Sequence, residues 1–223
     1  MATGNGRSRP HDDDATRQAM VCQQLQRRGI TDPRVLQAMR TIPRHLFVPE
    51  EQRHDAYSDH PLPIGESQTI SQPYMVALMT QSLALQGHER ILEVGTGSGY
   101  QAAVLSRLVA SVYSLEYFPT LAARASAILQ QLGYDNVQVV VADGGLGLAR
   151  YAPYDGIIVT AAAPHLPPAL LAQLAEGGRL VIPVGTHEQQ ALLIVTKQGE
   201  TYTETRTTPC RFVPLLGAEG FRE

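Results

Sequence analysis

Ile91-Leu92-Glu93-Val94-Gly95-Thr96-Gly97-Ser98-Gly99-Tyr100 decides the reading of this chain. An apolar run carrying one acidic residue meets three glycines in alternate positions. An amphipathic segment, residues 101–108, follows at once. The pattern predicts a buried strand, a tight turn and a helix. Glycine lets the backbone turn sharply and approach a ligand with no Cβ in the way. The dinucleotide fingerprint G-x-G-x-x-G needs glycine at position 100, where tyrosine stands. A tight strand-to-helix turn with no ligand also accounts for glycines taken alone.

The strands downstream extend the pattern. Ser111 to Leu115 is β-rich and ends at Glu116, 21 residues after Gly95. In doubly wound sheets an acidic residue at that distance binds a ribose hydroxyl pair. A carboxylate suits the role because it accepts two hydrogen bonds. A solvated strand-end glutamate is the plainer alternative. Val137 to Val141 predicts a third strand, ending at Ala142-Asp143-Gly144. Asp155 to Thr160 is apolar on both faces, as a central parallel strand is. The form E-x-G-x-G-x-G resembles the first motif of class I S-adenosylmethionine-dependent methyltransferases. Asp143 resembles the methyltransferase residue that contacts the adenine amino group.

Composition narrows the function classes. The chain has 223 residues, 43% hydrophobic, enough for one full domain with a small appendage. A net charge of −3 and a pI of about 6.2 lack the basic stripe of a nucleic-acid binder. No apolar run approaches a membrane span and no signal peptide is visible, so a cytoplasmic protein is expected. Residues 1–14 are Gly-, Arg-, Ser- and Asp-rich and are expected to be a disordered tail. Cys22 and Cys210 lie far apart and are expected to be reduced thiols. The seven histidines are scattered without metal-ligand spacing, and no metal is expected.

Residues 15–223 are expected to form a single domain in three parts. Residues 15–72 read as helical and irregular. A helix from Ala15 to Arg28 stops at Gly29, Asp32 caps a second that begins at Pro33, and residues 49–57 form a third. Residues 73–183 alternate helix and strand, including a helix from Pro73 to Leu85, another over 169–174 and a fifth strand over 179–182. Residues 184–223 are β-rich, with strands over 191–196 and 201–207. The expectation is an α/β fold: a doubly wound, Rossmann-like methyltransferase sheet with helices on both faces. A helical N-terminal extension and a C-terminal β-hairpin complete it.

The flanking segments carry a more specific signal. Leu62-Pro63-Ile64-Gly65-Glu66-Ser67-Gln68-Thr69-Ile70-Ser71-Gln72-Pro73-Tyr74-Met75 resembles the signature of the protein-L-isoaspartate O-methyltransferase family. Ile42-Pro43-Arg44 with Phe47-Val48, Ala56-Tyr57-Ser58-Asp59, Asp155 to Ala162 and Arg211 to Leu215 support it in the right order. The resemblance covers residues 18–216. The chain departs from it in lacking a bulky aromatic after Asp143-Gly144 and in its extra N-terminal tail.

The resemblance implies methyl transfer from S-adenosylmethionine to the α-carboxylate of L-isoaspartyl residues in damaged proteins and peptides, EC 2.1.1.77. It implies Ser71 as the catalytic residue. Substrate contacts fall to Asp59, Gln68, Thr69, Ile70, Ser71 and Val213. Cofactor contacts fall to Gln68, Ser71, Tyr74, Glu93, Gly95, Thr96, Gly97, Ser98, Glu116, Tyr117, Asp143 and Gly144. A monomer is expected.

Several residues keep two readings. Gln72 or Ser71 lies at the cap of the helix that begins at Pro73, and Ser71 either serves as an N-cap hydroxyl there or orients an acceptor carboxylate at that helix's positive end. Asp59 either organises the pocket or caps a turn. His165 either lines the site or sits on a surface loop. Arg211 to Leu215 reads as an edge strand stopped by Pro214 that also lies over the site, with Val213 pairing to a peptide. Three rivals stand beside the repair enzyme. They are a nicotinamide-dependent oxidoreductase, a methyltransferase for nucleic acid or another small-molecule or protein carboxylate, and a non-catalytic S-adenosylmethionine- or peptide-binding module.

Overall fold

The computed structural model describes residues 10–221. Residues 1–9 of the expected tail lie outside that range. From Pro10 onward the chain is already helical, so α1 (Pro10–Met20) begins inside the segment expected to be a tail. The expected helix over 15–28 winds in three ways: α1, a π turn over Val21–Leu25 and a 3-10 turn over Gln26–Arg28. The wider turn keeps Met20, Val21 and Leu25 all buried. Gly29 closes the run in the left-handed region, at φ 89°. Asp32 caps α2 (Pro33–Thr41), accepting from the Arg34 N–H at 2.8 Å. The third expected helix is a 3-10 turn, Glu50–Asp55.

A small hairpin then interrupts the helical region. β1 (Leu62–Gly65) pairs antiparallel with β2 (Gln68–Ile70) across a two-residue turn. Both turn residues, Glu66 and Ser67, have positive φ, the backbone of a type I′ turn. Neither is glycine or asparagine, so alternation and turn chemistry did not reveal this hairpin. Tertiary contacts hold it instead. Thr120 Oγ1 donates to Glu66 at 2.6 Å, and Arg124 donates to the Ile64 carbonyl at 3.0 Å. The chain continues into α3 (Pro73–Ser82). That helix stops short of the expected Leu85 because Ala84 takes φ 52° and turns Leu85 into the core.

The rest is one seven-stranded sheet with its connecting helices. In chain order come β3 (Arg90–Val94), α4 (Tyr100–Ser106), β4 (Ser111–Glu116), α5 (Pro119–Gln131) and β5 (Val137–Val141). Then follow β6 (Tyr154–Val159), α6 (Pro168–Ala172), β7 (Leu174–Gly185), β8 (Gln190–Gln198) and β9 (Thr201–Cys210). The spatial order is β5-β4-β3-β6-β7-β8-β9. The first five of these run parallel; β8 and β9 add antiparallel, as the expected C-terminal hairpin. β7 is longer than the expected 179–182, because the Gly177-Gly178 turn lies within it as an irregularity between two stretches of pairing with β6.

Alternate strand residues divide between two cores. Ile91, Val112, Ile158 and Val181 pack with α1 to α5. Leu92, Leu115, Ile157 and Ile182 pack with α6 and the segment around Leu215 on the other face. Chain order reverses between β3 and β6, and in open parallel sheets the crevice at such a switch point binds the ligand. Gly95 sits there at φ 95°, and a Cβ on it would lie 2.4 Å from Thr160 Oγ1. Gly95→Ala is therefore expected to lower stability by about 1 kcal/mol or more, through strain and a forced move of Thr160. Adding Thr160→Ala should restore part of the loss, because it removes the clash but leaves the strain. Thermal melts of the two variants check this.

Candidate active site

The loop after β3 is built by converging hydrogen bonds. The Gly95 and Thr96 N–H groups both donate to the Leu115 carbonyl, at 2.8 and 3.0 Å. The next N–H, of Gly97, donates to Glu116 Oε2 at 2.7 Å, and Phe118 N–H donates to Oε1 at 3.0 Å. Glu116 is thus held at the tip of β4 with 4% of its surface exposed. Each oxygen uses one lone pair on the backbone and keeps capacity for a further donor.

Glu93 faces elsewhere. It is fully buried in β3, where Ser114 Oγ donates to Oε2 at 2.5 Å and Thr96 Oγ1 lies 2.6 Å from Ser114 Oγ. Its Oε1 has no partner among the described residues. Burial pushes the carboxyl up to about 8, against the Ser114 hydrogen bond, with nearby Glu116 adding to the rise. At neutral pH the group is largely a neutral acid that braces the loop from beneath, not a charged wall of the crevice.

Two clefts meet above the strand ends. One, about 830 Å³ with its open mouth, is lined by the 95–98 loop, Val94, Leu115 to Phe118, Gly144 and Gln68 to Ser71. The other, about 1440 Å³ with its mouth, lies beside the start of α3 and the 208–214 segment. Thr69, Ser71, Thr160, Val213 and Pro214 line both.

Ser71 does not cap α3. The N-cap is Gln72, with no side-chain hydrogen bond, and the Ser71 hydroxyl has no partner among the described residues. The helix end therefore presents its positive pole without a side-chain cap. The segment after β9 is not an edge strand. It turns back over the sheet, where Ala162 N–H donates to the Val213 carbonyl at 2.8 Å and Leu215 N–H to the Ala162 carbonyl at 2.7 Å. β9 is the edge. The Val213 carbonyl is thus occupied, and its N–H has no partner among the described residues.

Of the residues singled out in the sequence, Gln68, Thr69, Ile70, Ser71, Gly95, Thr96, Gly97, Ser98, Glu116, Tyr117, Gly144 and Val213 come together at the first cleft. Tyr74 lines the second cleft instead. Asp59 lines neither: its carboxylate pairs with Arg28, whose guanidinium lies 3.5 Å over the Tyr74 ring. Asp143 accepts from Gly145 N–H at 3.0 Å and Ala218 N–H at 2.7 Å, so it ties the C-terminal turn to the site. Glu93 lines neither cleft, for the burial reason above. His165 is exposed, 4.0 Å from Glu219. Cys22 and Cys210 are unpaired, and no group of three or more His, Cys, Asp or Glu among the described residues could hold a metal. No helix among them is long and apolar enough to cross a membrane.

Thr160 went unassigned in the sequence. Its hydroxyl lies 2.6 Å from the Gly95 carbonyl and 3.1 Å from that of Val94, and it lines both clefts. A polar residue ending the apolar run of β6 was the available signal. Leu216, also in the first cleft, carried none, because only the return of the chain end brings it there.

The family model for protein-L-isoaspartate(D-aspartate) O-methyltransferase matches residues 15–220. The chain belongs to this family. It is 59% identical over 205 residues to Protein-L-isoaspartate O-methyltransferase 1 of Syntrophobacter fumaroxidans, across 92% of this chain and 96% of that one. The Syntrophotalea carbinolica protein-L-isoaspartate O-methyltransferase is 55% identical over 208 residues, across 93% and 96%. Among solved structures, a protein-L-isoaspartate O-methyltransferase superposes on 91% of this chain with a TM-score of 0.81 at 29% identity; the match spans 66% of that longer chain. A Plasmodium falciparum β-aspartate methyltransferase, solved with S-adenosyl-L-homocysteine, gives a TM-score of 0.78 at 27% identity over 90% of this chain and 98% of that one.

Glu93 makes a pH-dependent contribution that can be measured. Its folded pKa of about 8 lies above the ordinary 4.5, so the folded state holds the proton more tightly. Stability from this group is then full below about 4.5 and falls as pH rises towards about 8. Glu93→Gln, which cannot ionise, is expected to flatten that slope and to gain most over the parent protein above pH 8. Urea melts of both proteins between pH 5 and 9 check the difference; parallel curves would exclude a buried neutral acid.

Proposed function

We propose that the chain transfers methyl groups from S-adenosylmethionine to the free α-carboxylate of L-isoaspartyl residues in damaged proteins, and that the two clefts divide the work. The first cleft takes the cofactor and the second the peptide. The observation that carries this division is the shared wall of Thr69, Ser71, Thr160, Val213 and Pro214, where reacting groups from either side would meet.

The donor set of the first cleft fits the cofactor. Glu116 offers two acceptor oxygens for a ribose diol, Leu115 and Phe118 offer apolar surface, and Tyr117, 50% exposed, offers a ring to the purine side. Gly95, Thr96, Gly97 and Ser98 bring backbone close to the chain that bears the amino acid. Gly144 lines the adenine end, Asp143 acts from behind it by tying Gly145 and Ala218, and Glu93 acts indirectly, by holding Ser114 and Thr96. When bound, S-adenosylmethionine supplies a methyl group activated by a neighbouring sulfonium.

The protein needs no strong base. The acceptor carboxylic acid, with a pKa of about 4, is ionised at neutral pH. What the residues supply is position. The unpartnered Ser71 hydroxyl donates to the carboxylate, and the open N-terminus of α3 favours its charge. The Val213 N–H and its neighbours hold the peptide backbone as an added strand. Isoaspartyl and aspartyl residues carry equal charge, so selection rests on where backbone and carboxylate are held together. A carboxylate and a sulfonium give neutral products, so excluding water from the shared wall favours transfer. The nitrogen of the following amide can attack the product ester and expel methanol, giving a succinimide that water reopens in part to normal aspartate. We take the enzyme to act as a monomer in the cytoplasm; its two unpaired thiols fit a reducing compartment.

Matched peptides carrying L-isoaspartate or L-aspartate test the whole reading with labelled S-adenosylmethionine. Label is expected in the isoaspartyl peptide alone, and equal labelling of both would overturn the assignment. Ser71→Ala is expected to lower kcat/KM with little change in cofactor affinity, since no cap is lost. Glu116→Ala should weaken S-adenosyl-L-homocysteine binding by about 1.5–3 kcal/mol in calorimetry, the range for hydrogen bonds to a charged group.

A further inference from the structure

Arg44 is the largest fully buried side chain, at 0% exposure. It belongs to neither cleft wall. Its Nε donates to the Ala56 carbonyl at 2.7 Å, and its Nη2 donates to the Ser71 carbonyl at 2.8 Å. The guanidinium lies 4.9 Å from the Tyr100 ring centroid, and Tyr100 lines the cofactor cleft. Nη1 has no partner among the described residues. One cation therefore touches three segments far apart in sequence: the 56–59 turn, the Ser71 loop and the first residue of α4.

As a stability element this arrangement is poor. Burying a guanidinium costs several kcal/mol before its partners repay it, and an unpaired N–H adds to the cost. Apolar residues of similar volume would fill the space without that penalty. Burial lowers the Arg44 pKa to about 10, so the group still carries its charge at neutral pH. Such a residue in a folded core calls for a reason outside packing.

We infer that Arg44 is a positioning residue for methyl transfer: it fixes the Ser71 backbone so that the hydroxyl meets the acceptor carboxylate. The Ser71 loop lacks other restraint of this kind. Ser71 sits between the end of β2 and the start of α3, its side chain makes no hydrogen bond among the described residues, and the Gln72 side chain makes no cap bond beside it. The carbonyl bond from Arg44 is the one hydrogen bond that Ser71 itself makes among the described residues. Because the planar fork spans two carbonyls at once, lysine cannot replace it without loss of one. The inference rests on the role of Ser71 proposed above.

A double-mutant cycle tests it on the full chain. Arg44→Lys, Ser71→Ala and the double variant are assayed for kcat and KM with an isoaspartyl peptide, and for S-adenosyl-L-homocysteine affinity by calorimetry. Arg44→Lys alone is expected to lower kcat/KM about 10-fold or more, with cofactor affinity within about 2-fold. In the Ser71→Ala background the same change should cost less than about 2-fold, because the residue it positions is gone. Arg44→Gln, which buries no charge, replaces Arg44→Lys in the cycle if the lysine variant does not fold. A merely structural arginine would lower stability and leave kcat/KM of the folded enzyme intact, and that result overturns the inference. Equal losses in both backgrounds overturn it as well, since Arg44 would then act independently of Ser71. If Ser71→Ala alone leaves the rate unchanged, the role of Ser71 falls, and this inference with it.

Discussion

The structure depends on one crowded carbonyl. Leu115 O receives the N–H groups of both Gly95 and Thr96, so the loop after β3 is drawn across the end of β4 before it enters α4. That crossing sets Gly97 N–H against the Glu116 carboxylate and holds the carboxylate in the crevice. Two accepted bonds at one carbonyl require a backbone that bends sharply, which Gly95 allows at φ 95°. From this point the first cleft takes its floor from the loop, one wall from β4 and the other from Thr160 at the end of β6.

The cover over the strand ends comes from a different part of the chain. After β9 the backbone leaves the sheet and binds Ala162 through Val213 and Leu215. This return lays apolar residues over the strand ends and converts an open crevice into two clefts with a common wall. Charge neutralisation is favoured where water is scarce, so covering the crevice serves the reaction as well as the fold. Asp143 fastens the end of the cover, because its carboxylate takes the Ala218 N–H while its own turn is capped through Gly145.

Stability is spent on geometry at two buried ionisable groups. Glu93 and Arg44 each retain one polar atom with no partner among the described residues. Each also braces a loop that borders a cleft: Glu93 through Ser114 and Thr96, Arg44 through the Ser71 carbonyl. An apolar core would be cheaper at both places, but it offers no directional contact to a backbone carbonyl or hydroxyl.

The sequence by itself determined the α/β class, the parallel strands β3 to β6, the glycine turn, Glu116 at the tip of β4 and the capping of α2 by Asp32. These are local: period, turn residues and spacing along one strand-helix-strand unit carry them. Tertiary structure decided what local pattern does not encode. The β1–β2 hairpin has neither Asn nor Gly in its turn and stands because Thr120 and Arg124 hold it from α5. Ser71 stands one residue before the Gln72 N-cap, and Arg44, 27 residues away in sequence, takes its carbonyl. Asp59 turns away to Arg28, and Glu93 goes beneath the loop, because partners distant in sequence reach them first. Thr160 and Leu216 join the site only once β6 is docked beside β3 and the chain end folds back. Residue types and spacing name the groups that can do chemistry, but which of them face one volume depends on long-range packing, and that is fixed only when the whole sheet has formed.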